Sequence, residues 1–161
     1  MTNFHDLYQK YAADVHRFAF WLSGDAAEAA DLTSETFMRV WVAKDDLRAQ
    51  TVKAYLFTIC RHLYLQQRKR QDRHQEIPPD LEDTNPRPDH LAETRSELDA
   101  VLAVLNSLPE IDRSVLIMRA QDGLSYEEIA ELHGITVAAA KVKVHRARLK
   151  LARLRSEGDK L

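Results

Sequence analysis

Apolar side chains recur along this chain in steps of three and four. Near the N-terminus Phe4, Leu7, Tyr8, Tyr11, Val15, Phe18 and Leu22 fall on one helical face. Ser23-Gly24-Asp25 interrupts the pattern, and Asp25 suits the N-cap of a second helix. That second helix is predicted to bury Leu32, Phe37, Val40 and Trp41. A polar stretch, KDDLRAQTVK (Lys44 to Lys53), separates it from a third helix. The third offers Tyr55, Leu56, Ile59 and Leu63 to a core and finishes in RKRQDR. Strand-like alternation does not compete over a useful length.

The C-terminal part shows the same period. Leu98, Val101, Leu102 and Leu105 form one stripe, interrupted at Leu108-Pro109. Ile111, Val115, Leu116 and Met118 belong to the next helix, which ends near Asp122-Gly123. Ser125 with Glu128 three residues on reads as a capping box. Gly134 ends that short helix, and Thr136 caps the last one. In LSYEEIAELHGITVAAAKV, Ala130 is small where two helices cross, and Gly134 sits in a turn that favours positive φ. Ile129, Leu132, Ile135 and Val137 can pin the two helices together. The layout fits a helix-turn-helix, whose second helix enters the DNA major groove; a plain helical hairpin is the alternative.

Four of the five prolines lie in IPPDLEDTNPRPD (Ile77 to Asp89), an acidic stretch nearly free of large apolar side chains. It reads as an extended linker, with a long surface loop as the alternative. The organisation expected is all-α: a domain over 1–75, a linker over 76–95 and a second domain over 96–161. At 161 residues and 45% apolar, the chain has material for one ordinary domain or two small ones. No apolar run is long enough to span a membrane, and the N-terminus lacks the order of a signal peptide. A single cysteine, Cys60, rules out an internal disulfide. A cytoplasmic protein is expected.

Charge changes the picture. The formal total is −2, yet Thr136 to Arg155 holds seven Lys or Arg and no acid. On the last helix Val137, Ala140, Val144, Ala147, Leu151 and Leu154 fall on one side. Ala138, Val142, His145 and Leu149 fall on the other. Lys143, Arg146, Lys150 and Arg153 flank that outer arc on one edge, and Lys141, Arg148 and Arg155 on the other. Flanking cations can pair with phosphates, while small apolar side chains allow close approach and meet thymine methyl groups. Lys141, Lys143 and Arg146 are expected near DNA. A second basic site, RHLYLQQRKRQDR, sets Arg61, Arg68, Lys69, Arg70 and Arg73 against Asp72 alone, with Tyr55, Phe57 and Tyr64 nearby. Cations with aromatics suit single-stranded nucleic acid. A core role for Tyr55 and Phe57, with a basic helix end answering the helix dipole, is the competing explanation.

Three segments, DLTSETFMRVW (Asp31 to Trp41), AYLFTICRHLYLQQRKR (Ala54 to Arg70) and Leu108 to Leu151, resemble bacterial RNA polymerase sigma factors of the extracytoplasmic-function (ECF) group of the sigma-70 family. The resemblance implies two helical domains, σ2 and σ4, and a protein that binds polymerase core, directs it to promoters and helps open DNA. It implies as partners the β′ clamp helices and β flap of the core, promoter DNA and an anti-sigma protein. It places core binding on Asp31, Ser34, Glu35, Met38 and Arg39, the positions left outward when Leu32, Phe37, Val40 and Trp41 face in. It places the minus-10 element on Arg48, Gln50, Thr51, Lys53, Tyr55, Arg61, His62 and Arg68, reading a flipped base and supporting the melted strand. It places the minus-35 element on Thr136, Ala138, Lys141, Val142, Lys143, His145 and Arg146.

The chain departs from the family pattern in places. Ala30 stands where an acid is common, His62 where Asn is common, and Ala138, Ala139 and Val142 replace polar or glycine positions. A helix-turn-helix repressor or activator acting without polymerase is the alternative function. An enzyme is not expected: His5, His16, His74, His90, His133 and His145 lack ligand spacing, Cys60 and His62 point to different sides of a helix, and no glycine loop cradles phosphate. No metal or cofactor is implied.

Overall fold

The computed structural model describes residues 3–42, 51–74 and 92–159. These residues form seven helices and no strand. They are α1 (Phe4–Ser23), α2 (Ala26–Val42), α3 (Val52–His74), α4 (Ala92–Ser107), α5 (Glu110–Ala120), α6 (Tyr126–His133) and α7 (Val137–Asp159).

Local chemistry sets the helix ends. The Asn3 side chain accepts the Asp6 N–H at 2.8 Å, satisfying one of the free donors that open α1. At the other end Gly24, at φ 76°, donates its N–H to the Phe20 carbonyl at 2.8 Å. Asp25 then accepts the Glu28 N–H at 3.0 Å and caps α2. The bend between α1 and α2 therefore follows from two consecutive residues, Gly24 and Asp25.

The first three helices pack together through Val15, Phe18, Leu22, Leu32, Leu56 and Phe57. The Phe18 and Phe57 rings stack with centroids 4.6 Å apart and planes 10° apart. Complete burial of a side chain this size contributes roughly 1.5–3 kcal/mol. Two buried hydroxyls in this core are satisfied locally. Thr33 and Thr36 donate their hydroxyls to the Ala29 and Leu32 carbonyls at 2.7 and 2.6 Å. Cys60 is fully buried, and burial pushes its thiol up to about 12 despite a hydrogen bond with Thr36. Such a thiol behaves as a small apolar side chain.

Helices α4 to α7 pack around Val115, Met118, Ile129, Ala140, Val144 and Ala147. The two helix groups also meet each other: α1 lies against α4 and α5, and α3 against α6. One continuous buried cluster runs through both groups.

Some periodic positions differ from the sequence reading. Trp41 is half exposed, because it lies in the last turn of α2, where the Phe4 ring meets it edge-on at 4.9 Å. Tyr8 is likewise exposed along one side, with its ring against Phe37 at 5.0 Å. Leu98 is exposed, since the buried stripe of α4 begins only at Val101 and becomes complete at Leu105. Tyr55 and Ile59 are half-buried, whereas Ala54, Phe57, Cys60 and Tyr64 join Leu56 and Leu63 inside. The buried arc of α3 is wide because three helices, α1, α2 and α6, pack against it.

Candidate nucleic-acid interface

The sharpest local geometry lies in α6 and α7. The Ser125 hydroxyl oxygen accepts the Glu128 N–H at 3.1 Å and opens α6. Gly134 closes it at φ 64°, and the Ile135 N–H returns to the Ala130 carbonyl at 3.0 Å. This is a Schellman-type stop, which glycine enters without steric cost. Two residues later Thr136 accepts the Ala139 N–H at 3.0 Å and starts α7. His133 ties the motif to α5: its Nδ1–H donates to the Ile129 carbonyl at 2.7 Å, and Nε2 accepts the Ser114 hydroxyl at 2.8 Å. Burial lowers its pKa, which favours the neutral ring.

This framework fixes which side of α7 faces water. Ala140, Val144 and Ala147 are buried, and Val137, Leu151 and Leu154 partly so. Thr136, Ala138, Lys141, Val142, His145, Arg146, Arg148 and Leu149 are exposed. Val142, at 46% exposure, is an outward apolar side chain in the centre of a cationic surface. Lys143 differs from its neighbours: it is half-buried, and its ammonium donates to Asp112 of α5 at 2.8 Å. Two further residues join the group. The Tyr126 ring lies beneath the Arg119 guanidinium at 4.4 Å and the Lys141 ammonium at 5.6 Å. The sequence reading missed Arg119 and Tyr126, because helical periodicity does not link positions on three different helices.

On α2, Asp31, Ser34, Glu35, Met38 and Arg39 are all exposed and lie along one side of the helix. Beside them Phe4, Tyr8, Phe37, Met38, Trp41 and Val42 line a shallow apolar groove between α1 and α2.

The residues assigned to the minus-10 element are placed differently. Arg48 and Gln50 lie outside the described residues. His62 is exposed, and Tyr55 and His62 both line a hollow between α2 and α3. Arg68 donates from Nε to the Tyr64 hydroxyl at 2.9 Å and lies over that ring at 5.0 Å. The other three candidates face the second helix group. Arg61 makes a bidentate pair with Glu110 at 2.7 and 2.8 Å. Thr51 donates its hydroxyl to Glu128 at 3.1 Å. Lys53 lies 3.7 Å from Asp14 and 4.0 Å from Asp122. Behind them the buried Arg113 reaches across the junction, donating to Asn106 at 3.0 Å and to the Tyr64 hydroxyl at 3.3 Å.

Comparison with known proteins agrees with this architecture. A family model described as Sigma-70 region 2 matches residues 7–74, and one described as Sigma-70, region 4 matches residues 98–151. The chain is 35% identical over 149 residues to the ECF RNA polymerase sigma factor EcfG of Rhodopseudomonas palustris, covering 87% of this chain and 78% of that one. It is 32% identical over 157 residues to the ECF RNA polymerase sigma factor SigE of Mycolicibacterium smegmatis, covering 94% of this chain but only 61% of that longer protein. Among solved structures it is similar to the sigma factor RpoE from Bartonella quintana, crystallised in complex with the anti-sigma factor NepR. That match has a TM-score of 0.78 and 29% identity, over 97% of this chain and 98% of the other. CnrH, solved with the cytosolic domain of CnrY, shares the fold at a TM-score of 0.67 and 24% identity, over 96% of this chain and 88% of the other. Two region matches in chain order, a relative aligned along most of both chains, and a solved structure aligned over 97% of this chain converge on one conclusion: the chain belongs to the ECF sigma factors of the sigma-70 family.

Proposed function

We propose that this chain is a non-enzymatic, cytoplasmic transcription initiation factor that binds RNA polymerase core, brings it to promoters and helps open the DNA. The observation that carries this reading is the outward face of α7. It presents Lys141, Arg146 and Arg148 around Ala138, Val142 and His145, on a helix whose inner side is buried and whose start is fixed by Gly134 and Thr136. Such a face can follow a major groove, with cations on phosphates and apolar side chains at the base edges. In this reading Thr136, Ala138, Lys141, Val142, Lys143, His145 and Arg146 read the minus-35 element in duplex form. Arg119 and Tyr126 orient Lys141 from beneath.

The exposed side of α2, with Asp31, Ser34, Glu35, Met38 and Arg39, is proposed to dock on the β′ clamp helices, and the helix-turn-helix group on the β flap. Arg48, Gln50, Thr51, Lys53, Tyr55, Arg61, His62 and Arg68 are proposed to hold the minus-10 strand once it is melted. The similarity to RpoE in its NepR complex supports an anti-sigma protein as a further partner of this chain.

Reconstitution tests the proposal. Core polymerase supplemented with the purified chain is expected to start RNA synthesis at a limited set of genomic positions, read by sequencing transcript 5′ ends. Tight duplex binding by the chain alone, with no transcription start contributed by it, would instead identify a polymerase-independent repressor or activator.

A further inference from the structure

The apolar groove on α1 and α2 borders the proposed polymerase face, and the hollow between α2 and α3 belongs to the proposed minus-10 site. The inner edge of α7 is a separate matter. Lys141, Arg146, Arg148, Lys150 and Arg153 are exposed on this helix, whereas Lys143 is half-buried. Its ammonium donates to Asp112 Oδ1 at 2.8 Å, and the two side chains are 27% and 17% exposed. Asp112 lies in the first turn of α5, where a carboxylate also answers the positive end of the helix. Pro109, which precedes that helix, supplies no side-chain cap. The acid is held by its own helix, and the lysine reaches it from α7.

The surroundings decide what such a pair does. Ala140, Val144 and Ala147 are buried on the side of α7 that packs on the other helices of its group. Small apolar side chains set how closely two helices approach but fix their register weakly; a directed polar pair fixes it. A second tie runs from α5 to α6, where the Ser114 hydroxyl donates to His133 Nε2 at 2.8 Å. Both ties start from α5 within two residues of each other. This one helix thereby seats both halves of the helix-turn-helix.

Electrostatics argue against Lys143 as a phosphate ligand. A phosphate approaching Lys143 also approaches Asp112, and a pair that is already neutral offers it little net attraction. Salt-dependent DNA affinity comes from cations that neutralise phosphates, and this cation is neutralised from within the protein.

We infer that Lys143 serves duplex recognition by position rather than by contact: with Asp112 it locks the register of α7 on α5, so that Lys141, Val142 and Arg146 meet the groove together. This rests on the proposed role of α7 in reading duplex DNA and reassigns one residue within it.

The test uses the reconstituted holoenzyme and two fluorescent duplexes. One comes from just upstream of a start site mapped with that holoenzyme, and the other is a scrambled duplex of the same length and composition. Affinity for each is measured over a series of salt concentrations. Lys143→Met is expected to lower the ratio of specific to scrambled affinity about tenfold, within the range for touching residues, and to leave the slope of log affinity against log salt unchanged. Lys141→Met, at an exposed position, is expected to reduce that slope by about one. Asp112→Asn is expected to lower the ratio as Lys143→Met does, and the double variant no further than either alone. Lys143→Arg keeps a cation for Asp112 and is expected to hold the ratio near wild type.

A smaller slope in Lys143→Met, with affinity that rises in Asp112→Asn, is the pattern of a phosphate contact and would overturn the inference. So would a ratio unchanged in both variants. Should Lys143→Met prove unfolded by urea denaturation, Asp112→Asn decides: a lower ratio supports the register lock, and an equal or higher one refutes it. Wild type separates the two claims. If it does not distinguish the duplexes, the reading of α7 fails and the inference with it. If it distinguishes them and the Lys143 and Asp112 variants do so equally well, only the register lock is wrong.

Discussion

Asp122 allows a quantitative test of the junction through pH. Its side chain is 2% exposed, and Oδ2 has no hydrogen-bond partner. Burial raises its pKa from 3.8 to about 6; Lys53 and Arg17 pull it down, and Asp14 pushes it up. The folded chain therefore holds the proton more tightly than the unfolded chain does. Stability contributed by protonated Asp122 is complete below pH 3.8 and declines as pH rises through about 6. At about 1.4 kcal/mol per pH unit the loss is at most about 3 kcal/mol, and solvent screening reduces it because the residue as a whole is only half-buried.

Asp122→Asn removes the titration while keeping the shape. The amide introduces its own cost or gain against Lys53, but that offset does not vary with pH. The informative quantity is thus the difference in unfolding free energy between wild type and Asp122→Asn, measured by urea denaturation at closely spaced pH values from acid to neutral. Wild type is expected to lose stability relative to the variant between acid and neutral pH, by up to about 3 kcal/mol, with the steepest change between the two pKa values. A difference that stays flat, or moves the opposite way, would refute the assignment of Asp122 as a carboxylate ionised at a cost inside the junction.

Glu35→Lys reverses an exposed charge on the outward side of α2; it is expected to abolish co-elution with core polymerase while leaving unfolding free energy within about 0.5 kcal/mol of wild type. Arg146→Ala is expected to weaken holoenzyme binding to minus-35 duplex by about 1–3 kcal/mol, measured by competition at fixed moderate salt; unchanged affinity removes Arg146 from the interface. Phe57→Ala removes the ring stacked on Phe18 and is expected to cost about 3–5 kcal/mol in denaturant unfolding. Cys60, with its thiol raised to about 12, is expected to stay unmodified by a thiol reagent in the native chain and to react once urea unfolds it.

Much of this architecture could be read from residue order because its determinants are local. Gly24 with Asp25, Ser125 with Glu128, and Gly134 with Thr136 each define a helix end through contacts within a few positions. The inward and outward sides of α7 followed from spacing alone, since every turn of a helix repeats the same geometry. Trp41 shows where that logic stops: periodicity put it inward, but whether a partner helix extends far enough to cover it depends on where α1 begins. Arg113 is a harder case. Its charge suggests a surface position, yet it is buried, with Asn106 and Tyr64 accepting from its two terminal nitrogens and Nε left without a hydrogen-bond partner. The engagement of Arg61 by Glu110 was invisible for the same reason, being a contact between residues 49 positions apart.

The apolar cluster that runs unbroken through both helix groups has a consequence for how the molecule comes apart. A hinge bearing only charged contacts could swing at little cost, its ions taken up by water. Here, separation also wets hydrocarbon, and that penalty does not fade as salt is added. Breaking the ion pairs alone would therefore leave the larger part of the contact in place, and raised salt weakens only the smaller part.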